Sequence, residues 1–393
     1  MIRSSDRILT THIGSLYRSD KLMQLYSDDF AGKLRDPAMF QAQIQEEITM
    51  AVRRQEEIAI DIPSDGEASR FSFRGYFNDR VSGVERRPAT SPFRITSRDR
   101  TEFFEFYAQA TPHYWSVPNA TPMEYVCVGP IRYKPDRVLR DIEMMKEAMR
   151  GHHFVQAFFP AQVPSSTHFR IANEYYATVE EMDIAFAEAM REEYRILAEA
   201  GFVVQLDDPF LAQEWEMFEP AISLAQYRNS VTSRVELLNY CLQGIPEEML
   251  RLHVCWGSWH APHAHDLPLA DIVDLMLQVK AQAYSIEAAN PQHEHEWALW
   301  QDTKLPDGKI LIPGVVTHKS YVVEHPDLVA QRICRFADLV GKENVIAAPD
   351  CGMGGRIQQQ VGWAKLKALV EGSRRASSLL WTGSNRSSCA AMQ

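Results

Sequence analysis

His253-Val254-Cys255 puts an imidazole and a thiol two residues apart in the apolar run LRLHVCW. On a strand, residues i and i+2 point to the same side, so both groups aim at one point. A tetrahedral zinc ion takes such donors, with Zn–N of ~2.0–2.1 Å and Zn–S of ~2.3 Å. The chain has 13 His and 6 Cys in 393 residues. Chance alone then gives about 0.2 such pairs, so a buried thiol beside a hydrogen-bonded imidazole also accounts for this one. Cys351 shifts the balance. It follows the apolar run NVIAAP in the Gly-rich turn PDCGMGGR and can complete a Cys₂His set. Asp350 beside it either caps the turn or joins the site.

Glu287 ends the run YSIE, where a carboxylate is expected to be buried or functional. As a fourth ligand it would give a Cys₂HisGlu zinc site with one net negative charge. Such a thiolate-rich site activates water poorly but holds another thiolate in nucleophilic form. The charge therefore favours thiol alkylation over zinc-assisted hydrolysis. Asp207-Asp208-Pro209 follows FVVQL and could do acid–base work, grip an ammonium group, or cap a helix before the proline. Glu67 in DGEASR is similar, and Ser15 behind Gly14 could offer a hydroxyl and loop N–H groups to a carboxylate. Two histidine clusters compete as ligands: His260, His263 and His265 in HAPHAHD, and His293 and His295 in PQHEHEW. Both read as loops or helix starts, where solvated roles or roles one step removed from a metal are the simpler account. Cys127, Cys241, Cys334 and Cys389 have no partner at ligand spacing and read as core or tail thiols.

Composition limits what this chemistry can serve. The net charge is −11, and 24% of residues are charged. An acidic balance argues against a nucleic-acid partner and against an anionic membrane surface. No apolar run is long enough to span a bilayer, and MIRSSDRILTTHIGSLYRSDK lacks the apolar core of a signal peptide. A cytoplasmic protein is expected, with a homo-oligomer left open. Six cysteines are too few for a disulfide framework.

The groups above need elements to carry them. Short, continuously apolar runs lie at 8–14, 57–62, 153–159, 202–207, 250–256, 282–287, 310–316 and 344–349, as parallel strands buried on both faces do. Helices fit 38–56, 136–150, 178–200, 231–242, 269–280, 325–340 and 359–372. Thr178 with Glu181 reads as a capping box, and Gly201 as a stop. Eight strand–helix units point to one α/β domain, a single (β/α)₈ TIM barrel over residues 1–375, whose catalytic face lies at the strand C-terminal ends. No G-x-G-x-x-G supports an open doubly wound sheet. The region 66–131 reads as a lid or hairpin insertion after the second strand. It pairs 123–131 with 95–115 and carries Arg70, Arg74, Arg80, Arg86 and Arg87. Residues 376–393 form a C-terminal tail.

Taken together, the motifs resemble the catalytic barrel of cobalamin-independent methionine synthase. THIGSLYRS resembles its I-G-S-x-x-R segment, DGEASR its G-E, LDDP its I-D-E-P, HVC its H-x-C, and SIE its I-E. GVVTHKS resembles its G-x-x-x-x-H-S segment and PDCG its P-D-C-G. The order is the same, from residue 10 to residue 352. The resemblance implies zinc on His253, Cys255, Glu287 and Cys351. It implies that Ser15, Glu67 and Asp207 hold a small-molecule thiol such as homocysteine, and that His318 with Asp207 supplies or relays a proton. An alkyl donor such as methyltetrahydrofolate would be the second substrate. HVCWGSW and EAANPQHEHEW are more similar to single-barrel relatives that include epoxyalkane:coenzyme M transferase, so addition of another thiol to an epoxide is a second reading. A non-catalytic, zinc-stabilised metabolite-binding barrel is a third.

Overall fold

The computed structural model describes residues 1–73, 75–89, 96–109, 123–168, 171–218, 221–257 and 260–382. Ten strands occur among them: β1 (Leu9–Thr10), β2 (Val81–Pro88), β3 (Met123–Tyr133), β4 (Phe158–Gln162), β5 (Ile171–Asn173), β6 (Val203–Asp207), β7 (Leu250–Val254), β8 (Ala283–Ile286), β9 (Ile310–Val316) and β10 (Ile346–Pro349). The main sheet has the order β1-β10-β9-β8-β7-β6-β4, parallel throughout. Residues 60–63 fill the eighth position. Ile62 bridges Thr11 in parallel, and Phe158 N–H donates to Pro63 C=O at 3.0 Å. The expected eight-stranded α/β barrel is therefore the architecture.

Every residue of β4, β6, β7, β8, β9 and β10 is buried, as parallel strands between an interior and a helical layer must be. The covering helices include Pro37–Glu57, Asp136–Ala148, Val179–Glu199, Pro326–Val340 and Gln359–Ser377. Thr178 caps as expected, its hydroxyl accepting from Glu181 N–H, but the Glu181 carboxylate reaches back to Ala177 N–H instead of its own cap residue. A full capping box occurs at Ser223 and Gln226, so the helix expected at 231–242 begins earlier, as Leu224–Cys241. The strand expected at 153–159 lies at Phe158–Gln162, because the apolar run continues through Pro160. The helix expected at 269–280 is only a short 3₁₀ turn, Leu269–Asp271, and one helical turn, Val273–Met276. No helix among the described residues is long and apolar enough to cross a membrane.

Polar groups tie the barrel interior together. Arg251, on β7, is fully buried and donates to Thr11 Oγ1 at 3.0 Å, His12 C=O at 2.9 Å and the Gln205 amide. Its guanidinium lies 3.5 Å over the Phe158 ring. One side chain thus links the region of β1 with β4, β6 and β7.

The insertion is a hairpin, but its partner differs from the expected one. β3 pairs antiparallel with β2, and β5 adds to its other edge in parallel; of the expected partner 95–115, residues 95 and 110–115 lie outside the described residues. The alternation of apolar residues in 81–88 is too weak to announce a strand. Arg98–Glu102 and Phe104–Gln109 are helical instead. Two of the basic residues assigned to a lid are buried. Arg80 pairs with Asp141 and with Glu193 at 3.0 Å, and Arg70 donates to Pro160 C=O while lying 4.5 Å over Tyr76. Arg74 lies outside the described residues. Breaking a buried ion network strands the remaining charges. Arg80→Ala should therefore lower unfolding stability by about 3–5 kcal/mol, read by urea denaturation.

Candidate metal centre and the pocket beside it

β7 ends in His253 and Val254, and the chain leaves it through Cys255. β10 ends at Pro349, followed by Asp350 and Cys351. Strands β8 and β9 separate the two in the sheet, yet barrel curvature brings His253, Cys255 and Cys351 together. Their ligand atoms lie within 4.8 Å of one another, and all three residues are buried. Packing of backbone on backbone permits this. Gly352 and Gly354 press on the loop after β1, where Met353 and Gly354 N–H groups both donate to Ser15 C=O at 2.9 Å. A Cβ at Gly354 would sit 2.1 Å from Leu16 C=O.

His253 is oriented for coordination. Nδ1 lies 3.1 Å from Ser285 Oγ, and although burial lowers the imidazole, Cys351 beside it prevails and holds it above its ordinary range. The tautomer that donates to Ser285 leaves the Nε2 lone pair facing the thiols. The cysteines share a proton unequally. The Cys255 thiol donating to it, with Arg356 and His253 nearby, holds Cys351 well below the ordinary thiol range despite burial. The same bond and burial keep Cys255 high. An imidazole lone pair beside one thiolate and one thiol is a donor set that suits zinc.

Glu287 is fully buried but is not part of this cluster. Its Oε1 accepts from Trp256 N–H at 3.0 Å, and Oε2 accepts from the Asn290 amide at 2.8 Å. Lys319 Nζ lies 3.2 Å from Oε2, an ion pair whose angles fall short of a hydrogen bond. Burial pushes this carboxyl up, but Lys319, His318 and His293 together hold it below its usual range.

Beside the cluster opens a pocket lined by Ile13, Ser15, Glu67, Phe73, Asp207, Gln213 and Arg356, with His253, Cys255 and Cys351 as its floor. Asp207 and Glu67, from β6 and from the turn after residue 63, both face it. Burial drives Asp207 up to about 7, opposed by His253 and reinforced by Glu67. Burial also raises Glu67, against the pull of Arg70. Glu67 has a φ of +58°, a left-handed conformation that non-glycine residues seldom adopt outside constrained sites. Its carboxylate would collide with any Cβ at Gly14, at 2.4 Å. Asp208 instead takes the capping role, accepting from Ser165 Oγ at 2.8 Å and from Phe210 N–H at 3.1 Å.

His318 is fully buried, and neither ring nitrogen has a hydrogen-bond partner. Burial lowers it to about 3, so it is a neutral imidazole there. Asp350 is a cap after all, but for the loop after β8. Its Oδ1 accepts from Ala288 and Ala289 N–H, both at 2.8 Å. The competing histidines mostly bind carboxylates. His263 and His293 both grip Asp266, at 2.9 and 3.0 Å, His293 also holds Glu296, and His265 holds Glu102. His260 bonds the His318 carbonyl and His295 is exposed. Cys127 and Cys241 are buried free thiols, as expected, whereas Cys334 is buried but disulfide-bonded rather than a core thiol, and Cys389 lies outside the described residues.

Sequence reasoning missed Lys319, Arg356, Gln213 and Phe73. Lys319 and Arg356 stand inside quoted motifs, THKS and PDCGMGGR, which was the available signal. Gln213 and Phe73 carried none.

The Asp266–His293–Glu296 chain has a measurable signature. Burial opposes protonation of His293, but the two carboxylates prevail and raise it to about 9, while its ring stacks 4.0 Å from Trp256. A histidine raised on folding stabilises fully below its unfolded pKa, near 6.5, and loses that contribution as pH climbs through the folded value. Urea midpoints should therefore fall between about pH 7 and 9.5. His293→Gln should flatten that part of the profile.

The sequence model described as "Cobalamin-independent synthase, Catalytic domain" matches residues 8–94 and 172–375. A methionine synthase of Thermococcus kodakarensis is 24% identical, over 92% of this chain and 91% of the relative. One from Sulfolobus acidocaldarius is also 24% identical, over 93% and 91%. The structure of a B12-independent methionine synthase from Shewanella sp. W3-18-1, in complex with selenomethionine, superimposes with a TM-score of 0.71 at 17% identity. That alignment covers 96% of this chain and 99% of the other, and so shares the fold. The match to the family's sequence model covers most of the chain, which therefore belongs to the cobalamin-independent synthase catalytic-domain family.

Proposed function

We propose that the chain is a zinc-dependent thiol alkyltransferase and that it transfers a methyl group to homocysteine. The observation that carries this reading is the buried His253–Cys255–Cys351 cluster at the floor of a pocket whose walls bear two carboxylates. Relatives named methionine synthase, matched over nine-tenths of their length, support the methyl transfer.

His253, Cys255 and Cys351 would hold the ion. Zinc bound there would supply acidity, turning an incoming thiol into an attacking thiolate at neutral pH. The remaining work falls to the chain. Glu67 and Asp207 present carboxyl oxygens to the ammonium group of an amino acid. Arg356 presents positive charge, and Ser15 beside it a hydroxyl, to its carboxylate. In the reaction a sulfur–carbon bond forms as the donor's carbon–nitrogen bond breaks, and the departing nitrogen needs a proton. Asp207, raised to about 7, can hold one at neutral pH. The neutral His318, with unpartnered ring nitrogens, is suited to relaying it. Burial of these groups excludes water that would compete for the methyl group.

The test is direct. Zinc-loaded protein is incubated with homocysteine and methyltetrahydrofolate, and methionine is assayed. Turnover is expected. No methionine at high enzyme, with turnover of a thiol on an epoxide, would shift the assignment to the second reading. Cys351→Ser should stay folded, retain at least about tenfold less zinc after dialysis, and lose at least about 100-fold in rate. An unfolded Cys351→Ser protein would favour a purely structural metal. Asp207→Asn should keep zinc and lose about 10²–10⁴-fold in rate.

A further inference from the structure

A layer of polar side chains lies beneath the site in the barrel interior. Gln205 stands two residues before Asp207 on β6, and Arg251 two before His253 on β7, so each pair shares one side of its strand. Gln205 and Arg251 are also direct partners in the strand register, and both are fully buried. The Arg251 guanidinium donates to the Gln205 amide oxygen, to Thr11 Oγ1 and to His12 C=O, and among the described residues it forms no ion pair with a carboxylate. A guanidinium has donors only, so it dictates which end of the Gln205 amide faces it. The oxygen turns towards Arg251 and the nitrogen towards Asp207. That nitrogen donates to Asp207 Oδ1 at 2.7 Å and to Ile13 C=O at 3.2 Å. Reversing the amide would set N–H against the guanidinium and oxygen against two acceptors, so one orientation holds.

We propose that Arg251 and Gln205 are positioning residues that fix the Asp207 carboxyl, committing Oδ1 to the interior and leaving Oδ2 for the amino group of the substrate. The inference rests on the amino-acid thiol reading above and deepens it, because the pair then sets the preference for a thiol that carries an ammonium group. A carboxyl with one oxygen held by an internal donor keeps the other aimed in one direction before a ligand arrives, which lowers the ordering cost of binding. The second bond of the Gln205 amide ties it to Ile13, which lines the pocket as Asp207 does. One side chain thus links the wall after β1 with the wall at the end of β6. Neither Gln205 nor Arg251 lines the pocket, so their effect on a ligand passes through Asp207 and Ile13.

Binding calorimetry on the zinc-loaded chain reads this without relying on turnover. Two thiols are compared, homocysteine and mercaptobutanoate, its analogue without the amino group. Wild type should prefer homocysteine. Gln205→Glu keeps the shape of the side chain and an acceptor for Arg251, but removes the donor to Asp207. The two carboxyls can then bond only through a proton on Asp207 Oδ1, which takes away the charge that meets the ammonium. Homocysteine should bind at least about tenfold more weakly, as expected for a lost hydrogen bond to a charged group, while mercaptobutanoate stays within about twofold of wild type. Equal weakening of both thiols, or no weakening of homocysteine, overturns the proposal, because the pair would then be structural only. Should Gln205→Glu fail to fold, Gln205→Met, of similar length and with neither donor nor acceptor, carries the same expectation and the same overturning results. A wild-type chain that binds neither thiol, or both equally, overturns the amino-acid reading and this proposal with it. A wild-type preference for homocysteine that survives in the variant overturns only the proposal.

Discussion

Two thiols and an imidazole meet here only because the sheet closes on itself. His253 and Cys255 leave one strand, Cys351 follows another, and two strands lie between them in the hydrogen-bonded order. In a flat sheet those ends would be about 14 Å apart, three strand spacings, too far for one ion. Curvature removes that distance, and curvature needs an interior that fills and closes. Residues 60–63 complete the ring between β1 and β4. Arg251 pins four parts of the wall from inside, and the glycines after Cys351 let the last loop lie directly on the first.

Closure also buries charge, and most of the local sequence around the site is explained by what that costs. Unpaired carboxylates in such surroundings are strongly disfavoured. Each one is answered differently. Asp350 and Asp208 receive backbone N–H groups, and Glu287 receives an ammonium, an amide and a backbone N–H. Among the described residues Asp207 receives the Gln205 amide, at 2.7 Å, and burial raises it to about 7. Asp207 and Glu67, both raised by burial, are carboxylates that face the pocket. That difference separates groups that shape the site from groups available to a ligand.

Much of this was legible in the sequence. Strands β6 to β10 are continuous apolar runs bounded by turns, and they lie within a few residues of their expected positions. The convergence of His253, Cys255 and Cys351 was readable because a period of two along a strand and a position at a strand end are both local facts. What failed was non-local. Pro160 obscured where β4 begins. The helix Asp20–Phe30 went unread because its cap, Ser19, precedes a mostly polar segment. The partner of β3 depends on pairing between segments distant in sequence, which no periodicity reports. Arg80 was placed in a lid and Lys319 carried no reading, since only the fold reveals which acids they meet. The ion pair of Lys319 with Glu287 was unreadable for the same reason, since the two lie 32 residues apart.

The central claim is that one ion draws on two sulfurs and an imidazole from separate strands. Zinc K-edge X-ray absorption on the chain reconstituted with one equivalent of zinc tests it most directly. The account predicts two sulfur scatterers at ~2.3 Å and imidazole scattering from a nitrogen at ~2.0–2.1 Å. A zinc environment built only of nitrogen and oxygen, or with a single sulfur, would contradict it.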